Sequence, residues 1–240
     1  MRGGRILGRL ADGLFPPGPD EDGRAARPHG ALPPLLIVLT FVSGLVDAVS
    51  YLGLDHVFVA NMTGNVVFLG FALAGDRAEN GVASAVALAV FMVGAGVAGR
   101  LGRSSAGRFG PLVAAQAVLV AAALVVSAVG SGRLAVIGLL ALGMGLQNAV
   151  VHRLGVPDLT TTVLTRTLTG LAADPWGPAS TRRLVSVVAL LCGALVGGLL
   201  TLRHGPTWTL LAAVVLLAWT ALLGFRVAAG ARHPGEAPGP

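Results

Sequence analysis

The chain has 240 residues, of which 54% are hydrophobic and only 12% are charged, and its mean hydropathy is +0.79. Because about a quarter of the residues in a soluble domain are charged, this composition excludes an ordinary soluble domain and predicts an all-α bundle embedded in a membrane. All 17 basic residues are arginines, against 11 acidic residues. The arginines lie at the ends of apolar segments and not among aromatic residues, which favours anchoring at the membrane surface over binding of nucleic acid.

The first 34 residues are rich in Arg, Asp, Gly and Pro. They contain too few apolar residues to pack, so we expect a disordered tail over 1–34. Its acidic middle and the lack of a small-residue cleavage site after the first apolar run argue against a signal peptide. We therefore expect the tail to remain attached in the cytoplasm. A second mobile tail, rich in Pro and Gly, is predicted over 229–240.

Eight apolar segments lie between the tails, most of them bounded by Arg, Pro or Gly, as is typical of membrane helices. They cover 35–53, 58–75, 83–101, 111–129, 134–152, 159–173, 184–202 and 207–226. Together they predict one membrane domain over 35–228, with lipid as its surroundings.

Four short matches indicate an internal repeat. GLVDAV at 44–49 matches GLQNAV at 145–150, and three further pairs follow in the same order at offsets between 95 and 102 residues. These pairs are MTGN with LTRT (62–65 and 164–167), GAGVAGRL with GALVGGLL (94–101 and 193–200), and RFGP with RHGP (108–111 and 203–206). We infer two related halves, 35–129 and 134–226.

The number of crossings decides how the halves are related. If all eight segments cross, the halves are parallel repeats; if 58–75 and 159–173 do not cross, each half crosses three times and the halves are inverted. Six crossings leave 14 of the 17 arginines on the cytoplasmic side, whereas eight crossings leave about 11. The positive-inside rule therefore favours six crossings, although 58–75 is long enough to span.

Asp47 is the candidate centre of a functional site. It lies about twelve residues into an apolar segment, where an ionisable side chain is expensive and usually functional. It could couple transport to a proton or cation, bind a solute, or form only a structural hydrogen bond to a neighbouring Ser or Asn. The repeat replaces it with Asn148, which has a similar shape and no titratable proton.

Two polar segments follow Asp47 and Asn148 in their respective halves. The first contains Asn61, Thr63, Gly64 and Asn65, with both asparagines and Gly64 on one helical face. The second is rich in threonine around Arg166, and a helix there would align Thr162, Arg166 and Thr169. We expect Arg166 either to pair with Asp47 or to extend to the membrane surface, and the threonines either to bind solute or to link helices.

Other features predict architecture. Asp55 and Asp158 precede the two polar segments and are candidate helix caps. Small residues at 94, 98, 193 and 197 have the spacing for close helix packing. Cys192 is the single cysteine, and the five histidines show no metal-ligand spacing. No nucleophile–base set is apparent, so we expect neither an enzyme nor a cofactor.

The segments that surround the two polar centres resemble a known family. SGLVDAVSYLGLDHVFVANMTGNVVFLG and GMGLQNAVVHRLGVPDLTTTVLTRTLTGLA are similar to the YoaK-like family of bacterial multi-span membrane proteins of unknown function, and the likeness extends over 35–226. The resemblance implies a membrane protein, commonly with six spans. It also implies importance for the polar residues of both motifs: Asp47, Asn61, Thr63, Gly64, Asn65, Gln147, Asn148, Thr161, Thr162 and Thr165.

These observations lead to one functional hypothesis and one rival. The hypothesis is a secondary transporter or channel in the bacterial cytoplasmic membrane that carries a small polar or anionic solute between the two halves. In it, Asp47 couples transport and Arg166 orients charge. The rival is a scaffold or sensor that does not transport and whose polar centre only holds helices together.

Overall fold

The computed structural model describes residues 32–76, 78–100, 108–130, 132–156 and 164–230, together with 12–13, 15, 18–19 and 25–26 near the N-terminus. The described part of the membrane domain contains eight helices, one for each predicted apolar segment. They are α1 (Leu32–Gly53), α2 (Met62–Leu73), α3 (Ala78–Arg100), α4 (Phe109–Val129), α5 (Arg133–Leu154), α6 (Leu164–Ala173), α7 (Pro178–His204) and α8 (Pro206–Gly230). The all-α prediction is confirmed. A two-residue antiparallel pair joins Gly18–Pro19 to Ala25–Ala26; most of the predicted tails, 1–34 and 229–240, lies outside the described residues.

Helix length separates six membrane spans from two shorter elements. Helices α1, α3, α4, α5, α7 and α8 each contain an apolar stretch of 21 to 27 residues, and at about 1.5 Å per residue each of these can cross a hydrocarbon core of about 30 Å. By the same rise, α2 with 12 residues and α6 with 10 reach only about 18 and 15 Å. The described helices therefore fit six crossings.

The first helix of each half packs mainly against helices of the other half, and we call this arrangement exchanged packing. Helix α1 packs chiefly against α7, and α5, which holds the matching place in the second half, packs chiefly against α3. Likewise α4 contacts α5 while α8 contacts α1, and the short helices α2 and α6 lie against α3 and α7. Most pairings in one half thus have a counterpart in the other.

Helices α1 and α5 form the centre of the bundle. In each of them 61% of the apolar membrane-spanning stretch is buried inside the protein, against 28–33% in α3, α4, α7 and α8. The outer four helices expose bulky apolar side chains such as Met92, Val125, Leu191 and Trp219. Because these side chains would be unfavourable in water, we assign the exposed faces to lipid.

Glycines allow the exchanged helices to touch. A methyl group on Gly44 of α1 would lie 2.6 Å from the backbone nitrogen of Ala194 in α7, and one on Gly145 of α5 would lie 2.9 Å from that of Ala95 in α3. Both distances are too short for a real carbon, so backbone meets backbone at each crossing. At the same two crossings, a methyl group on Gly94 would meet the backbone oxygen of Leu142 and one on Gly193 that of Phe41, so the close packing predicted at these two positions is confirmed.

An exposed ion pair shows how the central helices are oriented. Nη1 of Arg133, the first residue of α5, lies 3.1 Å from Oδ1 of Asp55, which follows the end of α1. The end of α1 and the start of α5 therefore share one end of the bundle.

Candidate functional site

The connection from α1 to α2 is an irregular stretch that α1 itself holds in place. Oδ1 of Asp47 accepts hydrogen bonds from the backbone N–H groups of Val59 at 3.0 Å and Ala60 at 2.7 Å. Irregular backbone inside a membrane must have its polar groups satisfied by the protein. The half-buried Asp47 side chain does this for two consecutive amides.

Asn65 holds the start of the same connection. Its Oδ1 accepts from the N–H of Phe58 at 2.9 Å, and its Nδ2 donates to the carbonyl oxygen of Phe58 at 2.5 Å. Asn65 is the only buried residue of α2. Gly64 completes the arrangement, because a methyl group there would lie 2.6 Å from Cδ2 of Phe58. Asn65 and Gly64 therefore position the Phe58 ring against α2.

A cavity of about 650 Å³ lies beside this connection. Residues from α1, the connection, α2, α3, α6 and α7 line it. The polar side chains in the lining are Asp47, Asn61, Thr63 and Thr165. Thr63 and Thr165 occupy matching places in the two motifs, so each half contributes the same residue to one cavity.

Aromatic rings form much of the remaining lining. Phe58, Phe68 and Phe91 line the cavity, and the ring centroids of Phe58 and Phe68 are 5.9 Å apart in a stacked arrangement. Tyr51, one turn after Asp47, stacks on Phe58 with centroids 5.1 Å apart. The aromatic cluster is thus continuous with the helix that carries Asp47.

Helix α6 differs from its prediction. Arg166 is exposed, and no hydrogen bond or ion pair joins it to Asp47; the predicted pair is wrong, and the alternative of an arginine extending to the surface fits its exposure. Thr169 is exposed as well, whereas Thr167 is the only buried residue of this ten-residue helix. Because α6 is short and packs chiefly against α7, it buries little of its surface, and the two described members of the predicted inward stripe, Arg166 and Thr169, are both exposed. Thr161 and Thr162 lie outside the described residues.

The second-half motif residues in α5 face away from the cavity lining. Gln147 is buried, and its Nε2 donates to Oγ of Ser43 at 3.0 Å. Its Oε1 accepts from Nε2 of Gln116 at 2.7 Å. Nδ2 of Asn148 donates to the carbonyl oxygen of Met144 at 2.9 Å. Gln147 therefore links α1, α4 and α5 and has a role in packing, while Asn148 bonds within its own helix.

The predicted cap at Asp55 is wrong. Helix α2 begins at Met62 with Asn61 at the cap position, and Asp55 pairs with Arg133 instead. The reason is that Asp47 and Asn65 hold residues 58–60 in an irregular conformation, which delays the start of the helix. Asp158, the corresponding candidate, lies outside the described residues.

Of the eleven candidate site residues, five line the cavity, four lie elsewhere, and Thr161 and Thr162 are outside the described residues. Those in the lining are Asp47, Asn61, Thr63, Gly64 and Thr165. Those elsewhere are Asn65, Gln147, Asn148 and Arg166. Sequence reasoning missed Gln116, whose isolation within an apolar span was a usable signal. It also missed the aromatic lining, for which single phenylalanines in apolar runs give no signal.

Comparison with known proteins identifies the family of this chain. The family described as Protein of unknown function (DUF1275) matches residues 35–223. UPF0700 transmembrane protein YoaK of Bacillus subtilis (strain 168) is 33% identical over 147 residues, which cover 58% of this chain and 65% of that protein. No solved structure matches. As the family match covers almost all of the membrane domain, the chain belongs to the DUF1275 family of integral membrane proteins.

Proposed function

We propose that this protein is a secondary transporter or channel for a small polar solute, which binds in the cavity lined by Asp47 and Thr165. One observation carries the proposal: a cavity of about 650 Å³ is lined by both halves of the chain. Small-molecule sites commonly have volumes of about 300–1,000 Å³. A solute in this cavity would touch both halves, so a movement of one half against the other would change its access to either side.

The proposal includes an inverted repeat. The exchanged packing of α1 with α7 and of α5 with α3 supports it, as do the matching glycine crossings at Gly44 and Gly145. Because the Asp55–Arg133 ion pair joins the end of α1 to the start of α5, these matching helices run in opposite directions. Opposite directions are what inverted halves require, and parallel repeats would have the two helices parallel.

We also propose how the protein is oriented in the membrane. With six crossings, most arginines lie on the side of the two termini, and the positive-inside rule assigns that side to the cytoplasm of a bacterial cell. No catalytic step is assigned to the chain.

Solute uptake into proteoliposomes that contain the full-length protein tests the proposal. A panel of small polar solutes is offered with and without an inward proton gradient. We expect at least one solute to enter faster than into protein-free vesicles. Asp47→Asn should remove the effect of the gradient, because Asn retains the shape and carries no proton. Asp76→Asn, in the exposed turn after α2 and outside the lining, is the matched control.

The rival function, a scaffold that does not transport, also has an observation in its favour. Asp47 already accepts hydrogen bonds from backbone amides of the α1–α2 connection, so its simplest role is to hold that connection. A scaffold predicts that Asp47→Asn lowers the stability of the bundle and that no solute of the panel crosses. Circular dichroism and size-exclusion chromatography of the same variants measure the first effect independently of the second.

A further inference from the structure

We propose that the cavity binds an organic cation, such as an amine or a quaternary ammonium ion; this inference rests on the proposed function and names its substrate class. The first reason is charge. Within the part of the chain that the structure describes, Asp47 is the only charged residue in the lining. Arg166, the cation expected to favour an anionic solute, is exposed and does not line the cavity. An anion in this cavity would therefore be repelled by the Asp47 carboxylate, and no cationic side chain among the described lining residues would offset that repulsion.

The second reason is size. A bare metal cation needs several oxygen ligands within about 2.0–2.6 Å, and it would fill only a small part of a cavity of about 650 Å³. Oδ1 of Asp47 is already engaged by two backbone amides, which lowers its value as a metal ligand. A polyatomic cation can instead contact Asp47 and the opposite wall at the same time.

The third reason is the chemistry of the walls. Phe58, Phe68 and Phe91 present aromatic rings, and the face of such a ring attracts an ammonium group within about 6 Å of its centroid. The hydroxyl groups of Thr63 and Thr165 can accept hydrogen bonds from an N–H group or bind a hydroxyl on the solute. Apolar side chains such as Leu164 and Leu190 complete the lining and suit the carbon skeleton of an organic ion.

Equilibrium binding of radiolabelled choline to the purified full-length protein in detergent tests the inference. We expect saturable binding that tetramethylammonium and ethylammonium displace. The neutral isostere of choline, 3,3-dimethylbutan-1-ol, and the anion acetate should not displace it at the same concentration. Displacement by the neutral isostere as strong as by tetramethylammonium would overturn the role of charge. Binding of labelled acetate without binding of choline, or no binding of any ammonium ion, would overturn the inference as a whole.

Variants locate the site. Asp47→Asn should raise the dissociation constant for choline about tenfold or more, because it removes the charge partner. Phe91→Leu should raise it about threefold through loss of a cation–π contact, and it remains informative if Asp47→Asn does not fold. Phe71→Leu, on the exposed side of α2, is the matched control and should leave binding unchanged. Unchanged binding in a folded Asp47→Asn or Phe91→Leu protein would overturn the assignment to this cavity.

The binding assay and the uptake assay test the two proposals independently. If ammonium ions bind but no solute of the uptake panel crosses, the proposed transport is wrong and the cation site stands. If solutes cross but ammonium ions do not bind, transport stands and the cation site is wrong.

Discussion

At the scale of single residues, four glycines determine how closely the exchanged helices approach. Gly44 and Gly193 lie at the crossing of α1 with α7, and Gly145 and Gly94 lie at the crossing of α5 with α3. Each faces backbone atoms, which cannot move aside as the end of a flexible side chain can. An added methyl group must therefore push two helices apart.

We predict that Gly44→Ala lowers the free energy of unfolding by about 1–3 kcal/mol, the usual cost of overpacking. Gly145→Ala should cost a similar amount, since it meets the same kind of contact in the other half. The control is Gly138→Ala in α5, where a methyl group would meet nothing within 4 Å. Unfolding of the variants in mixed micelles with increasing SDS measures the effect. A control that loses as much stability as Gly44→Ala would show that backbone contact at the crossings is not what the glycines provide.

A buried chain of hydrogen bonds from Gln116 through Gln147 to Ser43 joins α4, α5 and α1. Two acceptors fix which way the side-chain amide of Gln147 points. Its Nε2 donates to Oγ of Ser43 and also lies 3.5 Å from the carbonyl oxygen of Leu39. Its Oε1 then has to accept from Gln116. Oε1 of Gln116 is buried and has no hydrogen-bond partner among the described residues.

This chain predicts a non-additive pair of substitutions. Gln147→Met should cost about 1–2 kcal/mol of unfolding free energy, because it leaves Nε2 of Gln116 with only the sulfur of Met144. In the Gln147→Met background, Gln116→Met should lower the free energy of unfolding by less than it does in the unsubstituted protein. The reason is that the double variant leaves no side-chain amide of this pair without its partner. The same SDS titration completes the double-mutant cycle, and strictly additive costs would show that the two amides do not interact.

At the scale of elements, the short helices α2 and α6 decide the topology. We predict that a cysteine at Asp76, after α2, reacts with a membrane-impermeant maleimide from outside the cell. One at Ser105, between α3 and α4 in the sequence, should react only from the cytoplasm. Both substitutions are made in a Cys192→Ala background, which removes the single native cysteine. The reverse pattern would mean eight crossings.

The elements were largely predictable from the sequence, and their contacts were less so. Runs of apolar residues bounded by Arg, Pro and Gly give most helix ends to within a few residues, as the match of 111–129 with Phe109–Val129 shows. Helices α3 and α7 begin five and six residues earlier than predicted, at Ala78 and Pro178. The start of α2 at Met62 was missed because it depends on side chains far along the chain: Asp47 holds the preceding amides from α1. Such a tertiary contact leaves no local pattern.

Site residues could be predicted where an ionisable or strongly polar side chain interrupts an apolar run. Asp47 is of this kind and lines the cavity. Thr165 also lines the cavity, but it lies in a threonine-rich segment, and its importance was implied by the family resemblance. The partner of Arg166 could not be predicted, because a guanidinium group on a short helix can turn inward or reach the surface with little change in sequence pattern. Gln147 and Asn148 gave the same signal as Asp47 in the sequence, and only packing separates a structural amide from a lining group.

At the scale of the whole molecule, the exchanged packing makes each half part of the other's environment. The central helix of one half lies against the third helix of the other, and the cavity lies where α2 of the first half and α6 of the second approach the same space. The proposed transport requires that movement of one half against the other open this cavity to each side of the membrane in turn. A rigid scaffold would give it one access route at most.

Two-sided labelling of the cavity measures this claim most directly. Thr63→Cys and Thr165→Cys are made separately in the Cys192→Ala background, and right-side-out and inside-out vesicles are treated with an impermeant methanethiosulfonate reagent. Leu195→Cys, exposed on the outer face of α7, is the lipid-facing control and should react from neither side. Alternating access predicts that both cavity cysteines react from both sides, at rates that an ammonium ion such as choline slows. Reaction of each cysteine from only one side, or from neither, would contradict it.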